Sequence, residues 1–154
     1  MNRYEAKLKD FMTARHIRAE QLIFTQSCHS VQEAASAAGA SPEDFVKNIC
    51  LVSGEGNLIV AIVKGEDSAS RSRVGKALRE DPPRTATADE ILEKTGFPCG
   101  GVPSFGYCAT FLVDPKVLEK EIVYTGGGSP CSLVRIASRE LIRSNNATII
   151  RIRR

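Results

Sequence analysis

Apolar side chains recur along this chain at two periods, and the switching between them sets the order of elements. Tyr4, Leu8, Phe11 and Met12 fall at i, i+4, i+7 and i+8, which is one stripe of a helix. Residues 17–26 mix apolar and polar positions and predict an extended segment. Ser30 and Glu33 have capping-box spacing, so an alanine-rich helix starts there and ends at Gly39. Ser41, followed by Pro42 and by Asp44 in the first turn, caps another short helix. Residues 48–52 and 58–63 are apolar runs joined by Ser53-Gly54-Glu55-Gly56-Asn57, which predicts a hairpin. Residues 70–79 predict a helix weakened by Gly75, and Thr87 with Glu90 caps the next, which stops near Gly96. Strands are predicted over 109–113, 121–124, 131–136 and 147–152. Asp114-Pro115 opens a short helix between the first two, and Ser138 caps one that runs to about Arg143.

Strict strand–helix–strand alternation is absent, which argues against a doubly wound parallel fold. The expectation is a single α+β domain over residues 1–154, with a mixed, curved, partly barrel-like sheet flanked by helices. By surface scaling a chain of this mass buries about two thirds of its unfolded surface, so a core needs no disulfide. No apolar run reaches 18 residues, and the opening MNRYEAKLKD is too polar for a signal peptide, so no membrane contact and a cytoplasmic location are expected.

Composition adds two points. The net charge is +3, and residues 135–154 hold six arginines against one glutamate, a basic end that could meet phosphates or simply be solvated. The five cysteines are at 28, 50, 99, 108 and 131, with no CxxC pair and only His16 and His29 as nitrogen ligands. Reduced thiols and no metal site are therefore expected. Cys28 and His29 could be read as a nucleophile and its base, but neighbours on an extended segment point to opposite faces.

Three features could carry chemistry. Lys47 enters an apolar strand, where a lysine either pairs with an anion in a cleft or snorkels from the strand edge. Residues 96–106, GFPCGGVPSFG, contain four glycines and two prolines and predict a loop whose amides are free to donate. Gly126-Gly127-Gly128-Ser129 predicts a bulge or a close approach of backbones. No GxGxxG, Walker loop, HExxH or GxSxG is present, and Asp114 before Pro115 reads as a cap rather than a base.

The ordered set of motifs resembles the YbaK/ProRS-associated editing domain family from about residue 17 to residue 143. It comprises His29-Ser30-Val31-Gln32-Glu33-Ala34-Ala35, Gly39-Ala40-Ser41-Pro42, Val46-Lys47-Asn48-Ile49, the loop from Thr95 to Pro103, Val113-Asp114, and Gly126-Gly127-Gly128-Ser129-Pro130. The resemblance implies a small pocket in an α+β fold and hydrolysis in trans of mischarged aminoacyl-tRNA, typically alanyl- or cysteinyl-tRNA for proline. It implies no cofactor, with aminoacyl-tRNA and a synthetase as partners. The family lysine matches Lys47, the family GxxxP loop matches Gly100 to Ser104, and the late glycine turn matches Gly126 to Ser129. The implied catalytic set is Lys47, Gly100 and Gly101. The implied substrate-binding set is Ser30, Val102, Pro103, Ser104, Gly126, Gly127, Gly128 and Ser129. Ser104 stands where many members have proline, and neither a carboxylate nor a histidine follows the late glycine turn.

With no protein base in view, the expected mechanism rests on Lys47 holding the tRNA end, on amides near Gly100 and Gly101 facing the oxyanion, and on a ribose hydroxyl of the substrate. Two other classes compete. One is a non-catalytic RNA- or synthetase-binding module, and the other is a thiol-dependent enzyme using Cys28 or Cys99.

Overall fold

The computed structural model describes residues 1–25 and 30–154. Helix α1 (Arg3–Ala14) is closed at its start by a reciprocal box, Asn2 accepting from the Glu5 amide and Glu5 accepting from the Asn2 amide. Strand β1 (Ala19–Ile23) follows, then α2 (Val31–Ala38), whose cap Ser30 accepts from the Glu33 amide and whose end is the left-handed Gly39. A 3₁₀ turn (Pro42–Asp44) leads into β2 (Val46–Val52), which forms the predicted hairpin with β3 (Leu58–Lys64). Helix α3 (Arg71–Leu78) keeps Gly75 for a steric reason, since a Cβ there would stand 2.9 Å from the Glu80 carbonyl. A two-residue strand, β4 (Arg84–Thr85), was not expected; it lies beside the end of β2. Helix α4 (Ala88–Thr95) has the full Thr87/Glu90 box and stops at Gly96.

After the glycine loop come β5 (Thr110–Val113), a second 3₁₀ segment (Pro115–Glu119), β6 (Ile122–Gly126), β7 (Ser132–Ala137), α5 (Ser138–Asn145) and β8 (Thr148–Ile149). Ser138 is the first helical residue rather than the cap, and its amide donates to the Glu121 carbonyl. The predicted last strand is cut to two residues because Asp114 takes its later amides. That carboxylate is fully buried and accepts from Ile152 N at 2.9 Å, Arg153 N at 3.1 Å and the Arg153 guanidinium at 2.8 Å. It also accepts from Lys116 N, so Asp114 is indeed a cap.

The expectation of one curved, partly barrel-like sheet is corrected. Hydrogen bonding divides the strands into an antiparallel sheet, β1-β7-β6, and a mixed sheet, β4-β2-β3-β5-β8, in which β3–β5 and β5–β8 are parallel. Among the described residues neither sheet closes. A single bridge, Phe45 to Tyr124, links β6 to the entry of β2. The physical reason is a wedge. Beyond that bridge the Val102 backbone stands between the two strands, its carbonyl accepting from the Asn48 side chain at 3.0 Å and lying against Gly126.

All seven residues of β3 are buried, because the mixed sheet is covered on both faces. One face carries Val60, Ile62, Val113, Phe97 and Phe105 together with Val134 and Ile136 of the other sheet, so both sheets share a core in a single α+β domain. The other face carries Ile59, Ala61, Val63 and Leu112 against Val74 and Ile152. Each such fully buried aliphatic or phenyl side chain contributes about 1.5–3 kcal/mol.

Candidate functional site

The gap held open by that wedge is a cavity of about 200 Å³. Ser30, Val31 and Ala34 of the α2 end form one wall, and Val46, Asn48 and Cys50, alternate residues of β2, form another. Tyr124, Thr125 and Gly126 of β6 and Ser132 and Leu133 of β7 stand opposite. Cys99, Gly100 and Val102 from the glycine loop and Ile91 from α4 complete it. That volume is below the roughly 300–1,000 Å³ of a drug-sized site.

Lys47 is the one charged side chain lining this space among the described residues. It is half-buried, and its Nζ donates to the Asp67 carbonyl at 2.9 Å. An ammonium has three donors, so two remain for a ligand. Being odd in register with Val46, Asn48 and Cys50, Lys47 leaves β2 on the face it shares with Ile49 and Leu51, so it meets the cavity at the strand and not from the floor.

The floor is a closed polar ring. Asn48 Nδ2 donates to Thr125 Oγ1 at 2.9 Å, and Ser104 Oγ donates to Asn48 Oδ1 at 2.7 Å. Since the Ser104 proton is used there, the 2.7 Å contact between the hydroxyls is Thr125 donating to Ser104. The other Asn48 amide proton goes to the Val102 carbonyl. The Ser104 hydroxyl thus ties the loop to β2 and β6.

Of the expected site residues, Ser30, Lys47, Gly100, Val102 and Gly126 line the cavity. Gly101, Pro103, Ser104, Gly127, Gly128 and Ser129 are buried behind it. There the two glycine segments cross in backbone contact: Gly128 N donates to the Gly101 carbonyl at 2.8 Å, and a Cβ on Gly101 would sit 2.5 Å from Ser129 N. The Gly101 amide, expected to be free, donates to the Pro98 carbonyl at 3.0 Å. The Gly100 amide has no acceptor among the described residues. Ser129 donates to the buried carboxylate of Glu5 at 2.5 Å, which anchors the turn to α1. Burial pushes the Glu5 carboxyl up, but hydrogen bonds led by the one from Ser129 outweigh it and hold the group below its usual range.

Burial, with Cys99 nearby, pushes the Cys50 thiol up to about 11, so it stays protonated at neutral pH. Cys99 is exposed at the rim, and Cys28 and His29 lie outside the described residues. No group of three or more His, Cys, Asp or Glu side chains that could hold a metal occurs among the described residues. Asn48, Thr125 and Glu5 were missed by sequence reasoning. The available signal was Asn48 itself, a polar residue beside Lys47 in an otherwise apolar strand.

A profile described as the aminoacyl-tRNA editing domain matches residues 25–144. The chain belongs to that family. The editing domain is 27% identical over 120 residues to the uncharacterized protein YwhH of Bacillus subtilis, covering 77% of this chain and 76% of YwhH. It is 29% identical over 89 residues to a proline–tRNA ligase of Kosmotoga olearia, covering 58% of this chain and only 15% of the ligase. The ligase is thus several times longer than the part this chain matches. A crystal structure described as a candidate trans-editing enzyme for prolyl tRNA synthetase superposes with a TM-score of 0.92 at 25% identity, covering 100% of this chain and 99% of that one. The hypothetical protein APE2540 superposes with a TM-score of 0.88 at 27% identity, covering 96% of this chain and 99% of that one. No helix among the described residues is long and apolar enough to cross a membrane.

Proposed function

We propose that this editing domain hydrolyses the ester of mischarged aminoacyl-tRNA, removing a small amino acid such as alanine or cysteine from tRNA for proline. The observation that carries this reading is the small cavity whose described lining holds one cationic residue, Lys47, and a Gly100 amide with no acceptor among the described residues, in a chain of the editing family. A cavity of about 200 Å³ suits a small acyl group, because a sieve that cannot hold a larger side chain rejects it by exclusion. The relation to proline–tRNA ligases and to a candidate trans-editing enzyme supports the tRNA and the synthetase as partners.

In the proposed step, water adds to the ester carbonyl carbon and the Gly100 N–H donates to the developing oxyanion. Gly101 acts through position, its carbonyl accepting from Gly128 N and its amide donating to the Pro98 carbonyl beside Gly100. Lys47 offers its two remaining donors to the terminal nucleotide. The bond from the carbonyl carbon to the ribose oxygen then breaks. The proton lost by water passes through the neighbouring ribose hydroxyl to the leaving oxygen, giving free amino acid and uncharged tRNA. An aminoacyl ester is already activated, so this modest equipment suffices.

The test is release of labelled alanine, serine, cysteine and proline from one tRNA by wild type and by Lys47→Ala. Losing a charge-assisted hydrogen bond worth about 1.5–3 kcal/mol lowers kcat/KM about 10- to 150-fold. Wild-type rates in the variant would remove Lys47 from the reaction. Binding of tRNA by wild type without release of any of the four would leave a binding module instead.

A further inference from the structure

Helix α1 lies outside the segment that defines the family match, yet it carries a second surface beside the cavity. Arg3, Lys7, Phe11 and Arg15 follow one another at four-residue spacing along one face of it. Each cation is exposed and sits over an aromatic ring. The Arg3 guanidinium is 4.8 Å from the centroid of Tyr4, Lys7 Nζ is 4.7 Å from that of Phe97, and the Arg15 guanidinium is 5.1 Å from that of Phe11. None of the three forms an ion pair among the described residues. Arg3, Tyr4 and Lys7 border a groove of about 400 Å³ whose far side is Leu92 and Gly96. No acid lines it, although Asp10 and Glu93 are exposed on the same two helices.

The groove and the cavity share a wall. Ile91 of α4 faces the cavity and its neighbour Leu92, 41% exposed, faces the groove. Consecutive residues of a helix are about 100° apart, so the two spaces lie on neighbouring sides of α4. Gly96 at the groove and Gly100 at the cavity are joined by the same loop. A positively charged groove with an aromatic edge and an exposed apolar residue is the equipment that holds single-stranded nucleic acid, by phosphate contact and base stacking.

We propose that this groove binds the single-stranded nucleotides preceding the aminoacylated 3′ end of the substrate RNA, with Arg3 and Lys7 on phosphates and Tyr4 and Leu92 beneath a base. The proposal deepens the deacylase reading and rests on it for the identity of the strand. It explains why a chain with so small a cavity keeps a cationic helix outside the matched segment: the cavity selects the acyl group and the groove holds the carrier.

The experiment measures Kd for uncharged tRNA by fluorescence anisotropy over a salt series, which requires no hydrolysis. The proteins are wild type, the double variant Arg3→Ala/Lys7→Ala, the charge-keeping double variant Arg3→Lys/Lys7→Arg, and Lys9→Ala on the opposite face of α1, each checked by thermal melting. The alanine pair is expected to raise Kd at least tenfold and to flatten the slope of log K against log salt by about 1.4, two phosphate contacts on a single strand. The charge-keeping pair should restore most of the affinity and the salt slope, and Lys9→Ala should stay within twofold. In deacylation, the ratio of kcat/KM on aminoacyl-tRNA to that on 3′-aminoacyl-adenosine should fall about tenfold in the alanine pair. Wild-type Kd and salt slope in a folded alanine pair would overturn the groove while leaving deacylation untouched. The expected binding loss with no hydrolysis of any ester by wild type would sink the deacylase reading and leave the groove standing.

Discussion

Gly101→Ala isolates the crossing of the two glycine segments. Gly101 does not have a positive φ, so alanine can adopt its backbone conformation and the whole cost is steric. The new methyl would stand 2.5 Å from Ser129 N and 2.7 Å from the Gly128 carbonyl carbon and Ser129 Cα, all backbone atoms. Ordinary carbon contacts begin near 3.5 Å, so the segments must part by about 1 Å. Overpacking of this kind costs about 1–3 kcal/mol. The 2.8 Å bond from Gly128 N to the Gly101 carbonyl is stretched by the same movement and adds about 1 kcal/mol. The expected loss of about 2–4 kcal/mol is a large share of a typical 5–15 kcal/mol stability. With a urea slope near 2 kcal/mol per molar, the midpoint falls by about 1–2 M. Gly54→Ala is the control, because a Cβ there meets nothing within 4 Å and its φ is not positive. It should hold or raise the midpoint, by up to about 1 kcal/mol in stability. A Gly101→Ala midpoint within about 0.3 M of wild type at unchanged slope would refute the steric argument.

Asp114→Ala should cost about 3–5 kcal/mol at pH 7, the toll of stranding the partners of a buried carboxylate. Burial pushes the Asp114 carboxyl up, but the amides of Ile152, Lys116 and Arg153 and the Arg153 guanidinium together hold it below its ordinary 3.8. A depressed folded value means stability that is present above the unfolded value and lost as pH falls through the folded one. The gap between wild type and Asp114→Ala in urea midpoint should therefore narrow below about pH 4, and a gap constant with pH would contradict the assignment. Cys99→Ser should keep deacylation within about twofold, since a thiol at the rim has no nucleophilic part in the proposed step; loss of activity in that variant would restore the thiol-enzyme reading.

Helix starts and the central hairpin were legible because their causes are local. Ser30, Thr87 and Gly39 each act within one turn of themselves, and the uninterrupted apolar run of β3 marks a strand covered on both faces. The division into two sheets was not legible. It depends on Val102 meeting Asn48 and Gly126, partners 54 residues upstream and 24 downstream, and no periodicity encodes such a meeting. The shortening of the last strand has the same origin, because Asp114 captures amides 38 and 39 residues away.

The site divides along a similar line. Lys47 and the glycine segments stood out because each breaks its local pattern, and the fold brings Lys47, Gly100, Val102 and Gly126 to one cavity. What composition cannot distinguish is a glycine that exposes its amide from one that admits another backbone. Gly100 and Gly101 are adjacent and chemically identical, yet one amide is unpaired among the described residues while the other is spent on Pro98. Gly101 is buried where it crosses Gly128 and Gly100 lines the cavity, so position relative to that crossing, and not residue type, separates the two. That is why Asn48, Thr125 and Glu5 belong in any account of the site. They hold the loop, the strand and the late turn against one another around the cavity that Lys47 and Gly100 line.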